Sequence, residues 1–223
     1  GSATPVAGRH VVVAKSPMTS YFGDASSGGF WGVELKFAGY DTLIITGRAS
    51  RPSYLLICDG DVEIRSAEPY WGMDARAADR AIRSDVGDKN LKVADIGQAG
   101  ERLVRYAAIM NENAERAAAR CGLGAVMGSK MLKAVAVRGH ERVPIADEDT
   151  LAAMAKEITH TIRTSPACQH FSKGGTAGDF AMFFSLGDTP AYNWSSGDLG
   201  GVGDPGVEKL RLDDILVGRR TCY

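Results

Sequence analysis

Short runs of β-branched and other apolar residues, each bounded by polar residues or glycine, predict the strands of this chain. Such runs occupy residues 9–15, 42–49, 91–97, 102–110 and 134–139. Residues 53–67 predict a hairpin, because two strand-like runs flank the pair Asp59-Gly60, a strong two-residue turn signal. Residues 16–29 are rich in turn formers and are predicted to form a loop.

Apolar residues at helical spacing predict helices between and after these strands. Residues 74–88 alternate alanine and isoleucine with charged residues, which is typical of an amphipathic helix. Apolar residues on one side of the segment 29–41 predict a short helix there. Another helix is predicted at 147–162, where acidic residues lie near its start. After Arg163 the sequence becomes loop-rich, and only the region around 177–184 is predicted to be helical.

The order of these elements predicts the α+β class. Strands and helices do not alternate regularly enough for a dinucleotide-binding fold built from βαβ units. A change in sequence texture places a domain boundary near Pro144. We found no internal repeat and no low-complexity tract.

Composition excludes several classes of function. The 223 residues carry a formal net charge of -1, which gives no global electrostatic case for binding nucleic acid or an anionic membrane. No apolar run approaches the roughly 20 residues that a membrane span needs. The cysteines are too widely and irregularly spaced for a disulfide framework, and they fit a reduced, cytoplasmic compartment. They are Cys58, Cys121, Cys168 and Cys222.

Three glycine-rich segments, 23–32, 97–100 and 115–139, are the candidate chemistry of the chain. Bare backbone amides before a helix can bind an anion, and the guanidinium groups of Arg116 and Arg120 suit phosphate. The glycine spacing matches neither the dinucleotide fingerprint nor a P-loop, so a nucleotide is disfavoured. The segments predict a large, polar, anionic ligand lying across a sheet. The alternative is that these glycines serve only in turns and caps.

Four segments closely resemble the aldehyde:ferredoxin oxidoreductase family, whose members carry a tungsten bis-pyranopterin cofactor and a four-iron four-sulfur cluster. They are GRHVVVAKSPMT, SSGGFWGVELKFAGYDTLIITGRA, IGQAGERLVRYAAIMN and RAAARCGLGAVMGSKMLKAVAVRG. The resemblance implies a pterin-binding domain at 1–143, in which two β-sheets form a saddle under the pterins and the family's first strands are lacking. It also implies that 144–223 begins a mainly helical second domain, truncated at the first cluster cysteine.

The resemblance assigns roles to individual residues. Arg9 matches an arginine between the pterin and the cluster, and Cys222 matches the first cluster ligand. Backbone carbonyls at Ser26 and Ala117 match positions that help to hold a magnesium ion bridging the two halves of the cofactor. The other implied cofactor-binding residues are Gly28, Gly29, Arg116, Arg120, Gly122 and Gly124.

The chain departs from the family pattern in three places. Ser26 stands where the family has asparagine, and Ala119 and Cys121 stand where it has glycine. A positive φ at either of the last two would cost about 1 kcal/mol or more. The segment 110–116, MNENAER, is one residue longer than the common form.

The family activity implied by the resemblance is oxidation of a small aldehyde to a carboxylic acid. Electrons would pass singly through the cluster to ferredoxin or another electron-transfer subunit. Alternatives are a reductase of the benzoyl-coenzyme A type and a non-catalytic pterin-binding module. The metal (tungsten or molybdenum) and homo-oligomer formation stay open, and the family's proton-transfer residues would lie beyond Tyr223, so no catalytic acid or base is named. The chain alone is expected to be an incomplete, inactive fragment.

Overall fold

The computed structural model describes residues 2–197. These residues form two compact units that meet in the sequence between Glu148 and Asp149. The predicted cluster ligand Cys222 lies outside the described residues.

Residues up to Glu148 contain eight strands and four complete α-helices among the described residues. The strands are β1 His10–Lys15, β2 Phe22–Ser27, β3 Ser53–Cys58, β4 Asp61–Ser66, β5 Lys92–Asp95, β6 Ile109–Asn111, β7 Arg116–Ala118 and β8 Leu132–Arg138. The helices are α1 Trp31–Phe37, α2 Ala75–Val86, α3 Gln98–Glu101 and α4 Leu123–Ser129, with a 3-10 turn at Glu68–Tyr70. This mixture confirms the predicted α+β class.

Two strands form a small antiparallel sheet. β1 pairs with β2 from His10↔Ser27 to Lys15↔Phe22. In β2 the residues Gly23, Ala25 and Ser27 are buried, while the alternate residues are exposed. The prediction of a loop over 16–29 was therefore wrong for 22–27, because small and polar residues form this strand through pairing with β1.

The second sheet has six strands in the order β4-β3-β8-β5-β6-β7. β3 and β8 run parallel, and the other neighbouring pairs are antiparallel. All but the last residue of β8 are buried, as the predicted apolar run at 134–139 indicated. The predicted hairpin at 53–67 is confirmed as β3 and β4, joined at Asp59-Gly60.

Two apolar clusters pack against this sheet. The first contains Trp31 and Leu35 of α1 with Leu123 and Met127 of α4. The second contains Ala78 and Ile82 of α2 and is referred to here as the α2 cluster; its other buried members are Tyr54, Leu56, Ala67, Tyr70, Leu91, Val93, Ala134 and Ala136. The two clusters use different residues of β5 and β8, so helices cover the large sheet on two sides.

Helix α2 confirms the prediction made for 74–88 and has a defined cap at each end. The Asp74 side chain accepts a hydrogen bond from the Ala77 amide at 2.9 Å, and Gly87 ends the helix with a left-handed φ of 78°. Both caps satisfy backbone groups that the helix itself leaves without partners.

Three further predictions were wrong. Residues 42–49 form no strand; Ile44 is 86% exposed, and no strand among the described residues pairs with this β-branched run. The run at 102–110 becomes a strand only at its end, because Leu103 adopts a positive φ of 58° after the short helix α3. Residues 97–100 are the start of that helix instead of a loop between two strands.

The unit that begins at Asp149 is helical over its described part, to residue 197. Its helices are α5 Glu148–Thr164, α6 Pro166–Gly174 and α7 Phe180–Ser185, with a 3-10 turn at Gly175–Asp179. α5 confirms the helix predicted at 147–162. The loop-rich prediction after Arg163 missed α6, although Ser165 caps this helix and Pro166 occupies its first turn, which is a common start signal. No helix in the described part of the chain has the length and apolar character to cross a membrane.

Candidate functional site

The outward face of the small sheet is the centre of the candidate site. Strand alternation exposes Val11 and Val13 of β1, at 58% and 50%, beside the exposed residue Ser26 of β2. At the edge of this face, Nη2 of Arg9 donates a hydrogen bond to the Ser26 hydroxyl at 3.0 Å. The structure thus brings together two predicted site residues that are 17 positions apart.

His10 follows Arg9 in the chain and is neutral at pH 7. Burial, and secondarily the positive charge of Arg9, lower the pKa of His10 to about 4. Its ring packs against Trp31 with a centroid separation of 4.8 Å. His10 therefore adds no charge to the one carried by Arg9 at this end of β1.

The part of the glycine-rich segment 115–139 that follows β7 lies against the same small sheet. β2 and β7 are in contact. The Cys121 thiol lies 3.5 Å from the Asp24 carbonyl oxygen, and the Ser16 hydroxyl donates to the Cys121 carbonyl at 2.9 Å. The fold therefore places the segments 23–29 and 116–122 side by side, although about 90 residues separate them in the sequence.

Arg116 and Ala117 lie on β7, where Ala117 pairs with Met110 of β6. Arg116 is half-buried, and its Nη1 donates to the Glu115 carbonyl at 3.0 Å. Arg120 is exposed in the loop beyond this strand. These positions are compatible with an anionic ligand on this surface, and the assigned contacts stay predictions.

Cys121 has a left-handed backbone, with a φ of 64°. This conformation explains why glycine is the easier residue at this position, as the resemblance implied. Ala119, the other residue that replaces a family glycine, does not have a positive φ. The strain expected from the two substitutions therefore falls on Cys121 alone.

Gly122 and Gly124 are required by packing within the protein. A Cβ on Gly122 would overlap the backbone carbonyl of Arg105, and Gly122 also has a φ of 70°. A Cβ on Gly124 would lie 2.8 Å from the Ala107 oxygen. Their missing side chains make room for the segment 105–108, so the bareness of these positions is no evidence of a ligand.

The turn at Gly28–Gly29 is held by side chains that sequence reasoning did not single out. The Asn111 amide accepts from the Ser27 hydroxyl at 2.7 Å and donates to the Gly28 carbonyl at 2.9 Å. A carboxylate oxygen of Glu112 accepts from the Phe30 amide at 2.8 Å. The start of α1, which the sequence suggested as an open anion site, is therefore capped from within the protein at Phe30. In the sequence, the only signal for Asn111 and Glu112 is that two polar residues directly follow the apolar run that ends at Met110.

A cavity of about 620 Å³ lies next to β1, and it is mostly apolar. Residues of α1, α4 and the segment 40–45 line it. Of the predicted cofactor-binding residues in the described part of the chain, Arg9 alone lies in this lining. The cavity also borders Val11 and Val13, so it adjoins the outward face of β1, while the other predicted residues lie on the exposed surface over the small sheet.

No group of three or more histidine, cysteine or acidic side chains in residues 2–197 could hold a metal ion. The predicted magnesium contacts at Ser26 and Ala117 would use backbone oxygens, which such a grouping does not describe. They stay predictions, as does the cluster ligand Cys222.

The family model of the aldehyde ferredoxin oxidoreductase N-terminal domain matches residues 1–139. The chain belongs to this family. A tungsten-containing aldehyde ferredoxin oxidoreductase from Pyrococcus abyssi is 46% identical over 224 residues, which cover 100% of this chain and 37% of that protein. The chain thus spans little more than a third of the length of such curated relatives.

The chain is also similar to proteins with other names. An aliphatic sulfonate oxidoreductase, WOR-like subunit, from Pyrococcus furiosus is 33% identical over 196 residues, covering 82% of this chain and 31% of that protein. Among solved structures, the active site complex BamBC of benzoyl coenzyme A reductase, in complex with 1,5 dienoyl-CoA, has a TM-score of 0.71 and 36% identity. The match covers 73% of this chain and 24% of that chain.

Proposed function

We propose that this chain is the part of a tungsten-dependent oxidoreductase that binds the pyranopterin cofactor. The observation that carries the proposal is the outward face of the small sheet. There the predicted residues Arg9 and Ser26 are joined by a hydrogen bond of 3.0 Å, beside the exposed side chains of Val11 and Val13.

The residues of this face fit a pterin. Exposed valines offer an apolar surface to a flat ring system, and the Arg9 guanidinium and the Ser26 hydroxyl offer donors to its polar edge and phosphate. Arg116 and Arg120, on the neighbouring β7 segment, would supply further positive charge. Backbone groups of Gly28, Gly29 and Ala117 would contact the cofactor, and backbone oxygens of Ser26 and Ala117 would help to hold magnesium.

When bound, the tungsten pterin supplies the two-electron redox chemistry, while the protein binds and orients it. The proposed overall reaction is oxidation of an aldehyde and water to a carboxylic acid, which releases two protons and two electrons. The electrons would leave singly through a four-iron four-sulfur cluster to ferredoxin. Cys222 would be one thiolate ligand of that cluster. The similarity to the tungsten-containing aldehyde ferredoxin oxidoreductase of Pyrococcus abyssi supports this reaction. A cytoplasmic location and the inactivity of this chain alone are part of the same proposal, and molybdenum is the alternative metal.

A second candidate is a reductase of the benzoyl-coenzyme A type. The likeness to the BamBC complex, at 36% identity and a TM-score of 0.71, favours it as a different use of one cofactor-binding domain. Substrate choice would then depend on residues outside this chain.

Replacing Arg9 with alanine in the full-length protein tests the proposal. We expect Arg9→Ala to retain less tungsten and pterin per chain, or to transfer electrons more slowly, because the cofactor loses a charged donor. Arg51→Ala, at an exposed position outside the candidate site, is the control and should keep the wild-type content. Wild-type cofactor content and turnover in Arg9→Ala would refute the assigned role of Arg9.

A further inference from the structure

We propose that Glu112 and Asn111 are positioning residues that hold the turn at Ser27–Phe30 in the shape that binds the cofactor. This inference rests on the proposed function. Neither residue is assigned to ligand contact; each acts on the protein groups that would make the contact.

Asn111 is almost completely buried, at 1% exposure, and uses both ends of its amide on the turn. Its oxygen accepts from the Ser27 hydroxyl at 2.7 Å, and its nitrogen donates to the Gly28 carbonyl at 2.9 Å. These bonds fix the side chain of one turn residue and the backbone of the next. Because the amide is buried, water cannot replace either partner without cost.

Glu112 completes the clamp from the following position. One carboxylate oxygen accepts from the Phe30 amide at 2.8 Å. Its Cγ lies where a side chain on Gly29 would begin, since an added Cβ would be 2.6 Å away. Gly29 has a φ of 95° and is therefore restricted to glycine for two reasons, its conformation and the closeness of Glu112.

The loop that carries Glu112 is held in an uncommon conformation. Three consecutive non-glycine residues, Glu112, Asn113 and Ala114, have φ values of 55°, 55° and 62°. The Asn113 amide donates to a carboxylate oxygen of Asp79 at 3.2 Å, and Asp79 is buried and paired with Arg83 on α2. Strain of this kind persists only where the surroundings enforce it, and it is frequent at functional sites.

The hairpin of β6 and β7 connects both halves of the candidate site. Asn111, at the end of β6, pairs with Arg116 at the start of β7. The same hairpin therefore grips the turn at Gly28–Gly29 with one strand and presents Arg116 and Ala117 on the other. Its position sets the separation between the two predicted cofactor contacts.

The role of Glu112 requires an oxygen atom that accepts a hydrogen bond. It does not require a negative charge. The carboxylate is engaged with the Phe30 amide, and a charge near a bound anion would oppose binding. Glutamine keeps an acceptor of the same length, so it should replace glutamate here. Alanine should not, because it leaves the Phe30 amide without this acceptor.

The experiment compares Glu112→Ala, Glu112→Gln and wild type in the full-length protein, with tungsten and pterin per chain and the rate of pterin release as readouts. We expect Glu112→Ala to release pterin about three- to tenfold faster, the factor that one lost hydrogen bond gives. Glu112→Gln should match wild type or release more slowly. Glu63→Ala, on the exposed strand β4, is the matched control and should behave as wild type.

The outcomes separate this inference from the proposed function. Wild-type protein that binds no pterin when supplied with it would refute the proposed function. If wild type contains pterin and Glu112→Ala releases it equally slowly, the positioning role alone is refuted. Equal acceleration of pterin release in the alanine and glutamine variants would refute it as well. If Glu112→Ala does not fold, Glu112→Asp takes its place. The aspartate side chain is one methylene too short to keep the hydrogen bond to the Phe30 amide, so this variant should release pterin faster than Glu112→Gln.

Discussion

The α2 face of the large sheet and the surface that carries the candidate site are built in different ways. On the α2 face, between Asp61 and Ile96, no non-glycine residue has a positive φ. Helix α2 has a cap at each end, and Gly87 sits in open space. Around the candidate site, Cys121 and three residues of the β6–β7 loop are left-handed, and Gly122 is pressed against the Arg105 backbone.

This difference indicates that stability and binding are assigned to different parts of the unit that ends at Glu148. The α2 face uses regular helix ends and paired buried charges, such as Lys133 with Glu101, whose Nζ and Oε1 are 2.5 Å apart. The site side keeps apolar side chains exposed and holds several backbone positions in unfavourable conformations. Such features stabilise no fold by themselves, and they are expected where a surface must present a fixed shape to a ligand.

The greatest change in stability is predicted for Asp95, a buried carboxyl group on the α2 side. Asp95 is buried at 1% exposure, and burial, followed by the negative charge of Asp79, raises its pKa to about 8 from an ordinary 3.8. Between those values the unfolded chain has lost the proton that the folded chain retains. The contribution of Asp95 to stability therefore falls as the pH rises from about 4 to about 8, and is constant above that.

Asp95→Asn removes this titration. The stability of the variant relative to wild type should rise with pH across the window, by about 1.4 kcal/mol per pH unit in its middle part. Urea unfolding of both proteins at several pH values measures the difference. A constant difference from pH 4 to pH 8 would show that Asp95 is not held protonated by the fold.

A smaller change in stability is predicted for Gly122, which packs against the Arg105 backbone on the site side. Gly122→Ala should destabilise the protein by about 3 kcal/mol or more, because the new Cβ meets the Arg105 backbone as well as a left-handed φ. Gly47→Ala is the matched control: its φ is 69° and nothing lies within 4 Å of the added Cβ, so it should cost only about 1 kcal/mol. Equal costs in denaturant unfolding would show that the approach to 105–108 does not limit this position.

The smallest effect tests strain at the site directly. Cys121→Gly should be neutral or should stabilise the protein by up to about 1 kcal/mol, since glycine adopts a φ of 64° without penalty. Cys121→Ala keeps the Cβ and removes only the sulfur. The difference in thermal stability between the glycine and alanine variants therefore measures the cost of a left-handed φ in a residue that has a Cβ. A glycine variant less stable than the alanine variant would mean that this backbone is not strained. Loss of bound metal in Cys121→Gly full-length protein would identify a ligand instead.

The sequence predicted best the elements whose signals are local. Helix α2 follows from the spacing of alanine and isoleucine, and the β3–β4 hairpin from Asp59-Gly60. Local signals failed where pairing decided the structure. The polar segment 22–27 became a strand because β1 lies beside it, while the β-branched segment 42–49 found no strand in the described part of the chain.

The candidate site was predicted in part for the same reason. The resemblance named Arg9 and Ser26, and the structure joins them by a hydrogen bond. It did not name Asn111 or Glu112, whose partners lie 82 to 84 residues away and are brought close only by the fold. The resemblance assigned Gly122 and Gly124 to the cofactor. From the sequence alone, a glycine that makes room for a cofactor cannot be distinguished from one that makes room for another segment of the chain.

The most direct test of the account is an experimental structure of the full-length protein loaded with its cofactor. We predict that the pterin lies over the outward face of β1 and β2, against the exposed valines, with the Arg9 guanidinium and the Gly28–Gly29 turn at its polar edge. A cofactor that contacts neither Arg9 nor the exposed valines of β1, or a folded full-length protein that takes up no pterin, would contradict it.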